Sequence, residues 1–180
     1  FFLNPSTIFA AQILLMGTQV LDHQAVCSKI SRIAWQIFEE FSDEKQIFIA
    51  GIAERGYLFA SLLKEELDNI SDLNCSLHRL SFDKSNPLED QPILNPPILD
   101  FKDANVVLID DVLKSGSTLI YGVRYFLNFP LSVMKTVVLV DRNHKRYPVK
   151  ADFKGLSLST SLQEHVNVFI EEEPFSVEVS

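Results

Sequence analysis

Three observations predict an α/β fold built on a parallel, doubly wound sheet. Short apolar runs alternate with amphipathic helical stretches along the chain. Two of those runs, Val106 to Ile109 and Thr136 to Val140, are nearly all apolar, as in strands covered on both faces. Loops rich in Gly, hydroxyl and charged residues follow the strand ends, where sheets of this kind bind ligands.

Asp22 reads as an N-cap. Beyond it Val26, Ile30, Ile33, Ala34, Ile37, Phe38 and Phe41 recur at helical spacing, with Lys29, Arg32, Gln36 and Glu40 on the other face. Trp35 is expected at the border of this helix, against a neighbouring element or another subunit. Gln46 to Ala53 reads as a strand that ends in a tight loop, Gly51-Ile-Ala-Glu-Arg-Gly56, and Tyr57 to Leu67 as the next helix. Cys75 to Phe82 alternates as a strand. Residues 83–104 carry Pro87, Pro92, Pro96 and Pro97, and a loop this long inside a compact domain usually has a function. Then come the strand Val106 to Ile109, a helix over Thr118 to Asn128, the strand Thr136 to Val140 and a late strand Val166 to Ile170 before an acidic, β-prone tail. Repeats and domain linkers are not evident.

The 180 residues suit one domain with a sizeable core. The apolar start, Ile8 to Met16, is too short for a membrane span and lacks the basic flank of a signal peptide. Residues 1–16 are therefore expected to be an N-terminal extension, residues 17–180 the domain, and the protein cytoplasmic. Cys27 and Cys75 form neither a close pair nor a metal spacing, so both are expected to be buried thiols. The net charge of −8 disfavours a nucleic-acid binder. That charge is unevenly spread. Residues 102–150 hold eight Lys/Arg against four Asp, whereas the remainder holds eight against twenty Asp/Glu. The one basic block surrounds the loop after Ile109, which an anionic small ligand explains more simply than a long polyanion.

The most informative stretch is Asn105 to Thr118. An apolar strand is followed by Asp110 and Asp111, then by a short loop, Ser115-Gly116-Ser117-Thr118, that opens a helix. Backbone N–H groups at such a helix start hold phosphate, and paired carboxylates accept hydrogen bonds from vicinal sugar hydroxyls. A blander alternative is that the Asp and Ser residues merely cap the next helix. Two further loops bring suitable residues. Glu54, Arg55 and Gly56 suit a pyrophosphate, or else they are a helix start with a surface Arg. The cations of Asp141 to Arg146 suit a leaving pyrophosphate, or else form a solvated basic turn.

The Asn105–Thr118 pattern resembles the phosphoribosyl-pyrophosphate (PRPP) signature of type I phosphoribosyltransferases. From about Thr18 to Val168 the chain resembles the pyrimidine-operon attenuators that are also uracil phosphoribosyltransferases. The stretches that carry this are Leu21-Asp22-His23, Gly51 to Gly56, Val107 to Leu113, Val138-Leu-Val-Asp-Arg-Asn-His-Lys145, Pro148 to Gly155 and Ser159-Thr160-Ser161. The resemblance implies a small hood near the C-terminal strands. It implies PRPP binding by Glu54, Arg55, Gly56, Lys114, Ser115, Gly116, Ser117, Thr118 and Lys145. Asp110, Asp111 and Arg55 are the expected catalytic residues, with Mg²⁺ held by Asp110 and Asp111 through water. Phe153 and the backbone of Lys154 are expected near the base, and residues 83–104 as a mobile loop closing over the site.

It further implies a nucleobase acceptor, uracil or a related base, and a homodimer or higher homo-oligomer. An RNA-binding regulator and a non-catalytic PRPP or nucleotide sensor on the same fold remain the alternatives; RNA binding is disfavoured by charge. Some positions depart from the family. His78-Arg-Leu-Ser-Phe-Asp83 stands where Thr-Leu-Tyr-Arg-Asp-Asp is usual, and Ser115-Gly-Ser-Thr118 where Thr-Gly-Arg-Thr is usual, so one Arg is missing from each. Purine transferases often place an Asp proton acceptor at the position of Lys114. A charged Lys cannot act so, which argues against a purine.

Overall fold

In a computed structural model the described residues are 17–84, 86–88, 91–159, 161 and 164–180. The expected extension, residues 1–16, and positions 85, 89 and 90 of the expected mobile loop lie outside them.

The chain order is β1 (Thr18–Leu21), α1 (His23–Glu40), β2 (Gln46–Ile52), α2 (Ala53–Ile70), β3 (Asn74–Ser81), β4 (Ile93–Asn95), β5 (Ala104–Leu113), α3 (Ser117–Phe126), β6 (Leu131–Arg142), β7 (Phe153–Leu158), β8 (Val166–Phe169) and β9 (Ser176–Val179). Six strands form the main sheet in the order β4-β3-β2-β5-β6-β7, all parallel except β4, which runs antiparallel to β3. From β2 the chain crosses to β3 on one side, while β5 sits on the other. The strand order therefore reverses between β2 and β5, and a crevice opens at their C-terminal ends.

Strand β5 shows how sequence sets the layers. Its alternate residues Val107 and Ile109 enter the core with Ile33 and Ile37 of α1 and Phe59 and Leu63 of α2. Val106 and Leu108 enter the opposite core with Leu119 and Phe126 of α3. With both faces covered, the middle of the strand must be apolar at every position, as Val106 to Ile109 are. Helix α1 starts where Asp22 caps it, its Oδ1 accepting from the Ala25 N–H at 2.8 Å. Trp35 stays 46% exposed and meets Phe38 edge-on.

A second antiparallel sheet, β1-β9-β8, joins the two ends of the described chain and forms the expected hood. The Phe175 N–H donates to His23 Nδ1 at 3.2 Å, which ties the hood to the start of α1.

Several elements differ from the sequence reading. Asp110 and Asp111 lie within β5, not beyond it, because β6 carries the parallel ladder on to Asp141. Glu54, Arg55 and Gly56 form the first turn of α2, not a loop before it. Ala53 makes the corner in the left-handed region (φ 54°), and Gly51 gives room, since a Cβ there would stand 2.3 Å from Tyr57 Cα. Residues 83–104 are not all loop: β4 pairs with β3, and Leu94, Ile98 and Phe101 are buried. Strand β7 is a part-exposed edge with polar Lys154 and Ser157, too weak a pattern to be read. Cys75 is buried, whereas Cys27 is only half-buried.

Replacing Gly51 with Ala is expected to destabilise the protein by about 3 kcal/mol or more, because backbone rather than a flexible side chain occupies the space. Urea denaturation checks this; a midpoint equal to the parent's would mean that α2 leaves β2 by another path.

Candidate functional site

At the switch point the end of β5 carries two nearly dry carboxylates, Asp110 at 3% exposure and Asp111 at 8%. Asp110 Oδ1 accepts from the Asp111 N–H at 3.1 Å, and Lys84 Nζ approaches it to 3.9 Å. Burial pushes the Asp110 carboxyl up to about 8. The adjacent charge of Asp111 adds to the rise, and the Lys84 ammonium opposes it. A group of this kind in a crevice marks a functional site more often than a structural one.

The first turn of α2 presses directly on this strand end. A Cβ on Gly56 would stand 2.8 Å from Ile109 O and 3.3 Å from Asp110 Oδ1, so only glycine lets the turn approach. Its neighbours are already engaged. Glu54 accepts from Arg79 Nη1 at 2.7 Å, and the Arg79 guanidinium lies 4.4 Å above the Tyr57 ring. Arg55 Nε stands 3.7 Å from Glu171 of the hood, both half-exposed.

On the other side of Asp110, Lys114, Ser115, Gly116 and Thr118 line a small cup of about 40 Å³. Gly116 precedes α3 in the left-handed region (φ 83°), where a Cβ would also meet Val149 Cγ1 at 2.6 Å. Ser115 shapes the cup: its Oγ accepts from the Ser117 N–H at 3.2 Å, and its carbonyl from the N–H groups of Arg146 (2.8 Å) and Tyr147 (3.2 Å). The basic turn is thus fastened to the cup by backbone. Its lysine is held elsewhere. Lys145 Nζ lies 3.1 Å from Asp141, and Lys154 Nζ lies 3.2 Å from the same carboxylate, which is 1% exposed.

A third space of about 290 Å³ lies between the sheet and the hood. Arg55, Asp111, Val112 and Lys114 line it from the sheet side, with Arg142, and His165, Val166 and Asn167 from the hood. Arg142, 2% exposed, donates through Nη2 to the carbonyls of Ser161 (3.0 Å) and Glu164 (2.7 Å), so it anchors the segment that leads into the hood. A larger cavity of about 430 Å³, lined by Pro87, Leu88, Gln91 and Pro92 and by Tyr121, Arg124 and Tyr125 of α3, contains neither carboxylate.

The structure therefore brings Asp110, Asp111, Arg55, Gly56 and Lys114 to Thr118 together, with Glu54 beside them on Arg79. It holds Lys145 on Asp141. Phe153 and Lys154 are not brought to the crevice: Phe153 packs on the core under α1, and the Lys154 carbonyl accepts from Arg32 Nη2 at 2.9 Å. Arg142, expected among the cations of the Asp141–Arg146 turn, instead lines this cavity and anchors the hood segment. His165 and Asn167 were missed, because nothing local marks them and they arrive only when the hood folds over.

A phosphoribosyl transferase domain model matches residues 16–174. The chain belongs to the phosphoribosyltransferase family. Relatives named Bifunctional protein PyrR include that of Pediococcus pentosaceus, 31% identical over 167 residues and spanning 87% of this chain and 94% of the relative. That of Clostridium kluyveri is 30% identical, spanning 85% and 90%. Among solved structures, a hypoxanthine-guanine phosphoribosyltransferase of Bacillus anthracis superposes with a TM-score of 0.73 at 18% identity, covering 92% of this chain and 99% of that one. The hypoxanthine phosphoribosyltransferase of Trypanosoma cruzi gives 0.73 at 16%, covering 90% and 95%. At those identities the likeness is one of fold.

The family implies Mg²⁺, and the residues fit it in one manner. Among the described residues there is no group of three or more His, Cys, Asp or Glu that would cage a metal. The pair of buried acids suits a cation that keeps its waters and is shared with substrate oxygens.

The raised Asp110 fixes the sign of a pH effect. Its folded-state value, about 8, exceeds the ordinary 3.8, so the folded protein retains a proton that the unfolded chain releases. The associated stability is complete below pH 4 and is lost as pH climbs towards 8, at no more than about 1.4 kcal/mol per pH unit. Asp110→Asn should therefore melt progressively higher than the parent between pH 5 and 8. Thermal melts that stay parallel across that range would disprove the assignment.

Proposed function

We propose that this protein transfers a 5-phosphoribosyl group from PRPP to a ring nitrogen of uracil or a related base. The observation that carries this reading is the placement of the buried Asp110–Asp111 pair between a backbone-lined cup and a cation-lined cavity. A phosphorylated sugar spans such an arrangement, with its phosphate, hydroxyls and reacting carbon each facing suitable groups.

In this reading the N–H groups of Ser115 to Thr118 hold the 5′-phosphate at the start of α3. Asp110 and Asp111 accept from the ribose hydroxyls, which offsets the cost of burying two acids together. Arg55 and the backbone at Gly56 face the pyrophosphate, and Glu54 holds Arg79 against that turn. Lys84, at the mouth of the 83–104 segment, leaves Asp110 as the sugar arrives. Lys145 acts through Asp141 to set the basic turn.

When bound, Mg²⁺ supplies charge neutralisation for the pyrophosphate. The base nitrogen gives its lone pair to C1′ as the C1′–O bond breaks. That bond's electrons leave with pyrophosphate, and the base's N–H proton goes to solvent. The protein contributes position and a preorganised field around a cationic sugar centre. Hood and 83–104 segment keep bulk water from that centre.

Removing the pair's charge tests the assignment. Asp110→Asn/Asp111→Asn should weaken PRPP binding by about 1–3 kcal/mol, read by calorimetry with Mg²⁺ present. Undiminished affinity would place the sugar elsewhere. Pyrophosphate release with PRPP and a panel of bases then separates an enzyme from a sensor.

Two partner expectations remain from the sequence. A homo-oligomer is supported by the half-exposed Trp35. Specific RNA binding is expected to be weak, because the surplus of acid lies outside residues 102–150. Submicromolar gel shifts with pyrimidine-operon leader RNA and a steep salt dependence would reverse this and favour the regulator. No helix of the described residues is long and apolar enough to cross a membrane.

A further inference from the structure

We propose that the acceptor cavity selects a pyrimidine that carries a carboxylate, and that Lys114 is the residue that selects it. The inference rests on the transferase reading in one respect, that the space beside Asp111 receives the base.

The charge lining that space is one-sided. Arg55, Lys114 and Arg142 stand there with His165, against the single carboxylate of Asp111. The three cations are not equivalent. Arg142 is buried and donates to the carbonyls of Ser161 and Glu164, so its guanidinium is committed to holding the hood segment. Arg55 already faces Glu171 at 3.7 Å. Lys114 is exposed and lines both the phosphate cup and the acceptor cavity. Among the described residues no carboxylate lies within ion-pair distance of it.

That free ammonium has a consequence once the site fills. A neutral base seated in the cavity strips water from the cavity side of Lys114 and offers no anion there, which costs binding energy. A carboxylate on the ring replaces the lost water with a charge-assisted hydrogen bond. The discrimination then follows from the residue left unpaired by the wrong ligand. A charged lysine at position 114 is itself no proton acceptor for the base. In the transfer, the ring N–H proton goes to solvent, the nitrogen lone pair forms the bond to C1′, and pyrophosphate leaves with the electrons of the broken C1′–O bond. The carboxylate is carried through unchanged.

The test uses product nucleotides, because they occupy cup and cavity together and need no turnover. Affinities of the full chain for uridine 5′-monophosphate and for its 5-carboxy and 6-carboxy derivatives are measured by calorimetry. One carboxylated nucleotide should bind at least about tenfold more tightly than the plain one. Lys114→Met should bring the ratio within about twofold, and Lys114→Arg should keep most of it. Equal affinity for all three in the parent, or a preference that survives Lys114→Met, overturns the selection by Lys114. If uracil then still releases pyrophosphate from PRPP, the transferase reading stands without it. Failure of all three nucleotides to bind removes the acceptor site itself, and with it both readings.

Discussion

Two carboxylates side by side at a strand end, with almost no water around them, are the constraint on which the rest of the molecule turns. Folding gains nothing from burying Asp110 beside Asp111, and the upward displacement of the Asp110 carboxyl is the sign of that cost. An apolar strand covered on both faces carries them there, and the stability of that strand's core offsets the expense. In the proposed function the gain appears when a ligand with hydroxyl donors and a cation arrives. Such stored cost is what a binding site for a charged sugar requires.

Around that pair the fold arranges close approaches instead of long side-chain networks. Gly56 lets the first turn of α2 touch the end of β5, and Gly51 lets the same turn leave β2 without a loop. Gly116 turns the chain into α3, and the Ser115 carbonyl ties the cup to the basic turn. The hood is joined to the sheet side through His23, Arg55 and Arg142. The residues that line the crevice therefore come from the ends of β2, β5 and β6 and from the hood.

That division explains what was legible in the sequence. The carboxylates, the cup and the turn at Gly56 lie in short contiguous stretches whose residue types match their chemistry, and the structure brings those stretches together. Helix α1 was readable because its apolar period is long and Asp22 caps it. Strand β7 was not, because an edge strand half in solvent has no continuous apolar run. The extent of α2 was misjudged because Glu54-Arg55-Gly56 has the composition of a loop, and only the left-handed Ala53 shows that the helix starts at once. His165 and Asn167 reach the cavity through β8 pairing with β9, a contact with no local signature. Phe153 and Lys154 were placed near the base by resemblance, whereas the edge position of β7 turns one to the core and gives the other's carbonyl to Arg32.

The most direct test of the carboxylate pair as the sugar site is the proton balance of PRPP binding. A carboxyl held near 8 is largely protonated at pH 7, and two ribose hydroxyls donating to the pair beside Mg²⁺ favour its ionised form. Calorimetry with PRPP and Mg²⁺ at pH 7, repeated in buffers of different ionisation enthalpy, reads the protons exchanged. Release of about one proton by the parent, and of none by Asp110→Asn, is the expected result. Tight binding with no proton release, or a release unchanged in Asp110→Asn, would show that the sugar does not sit on these two carboxylates.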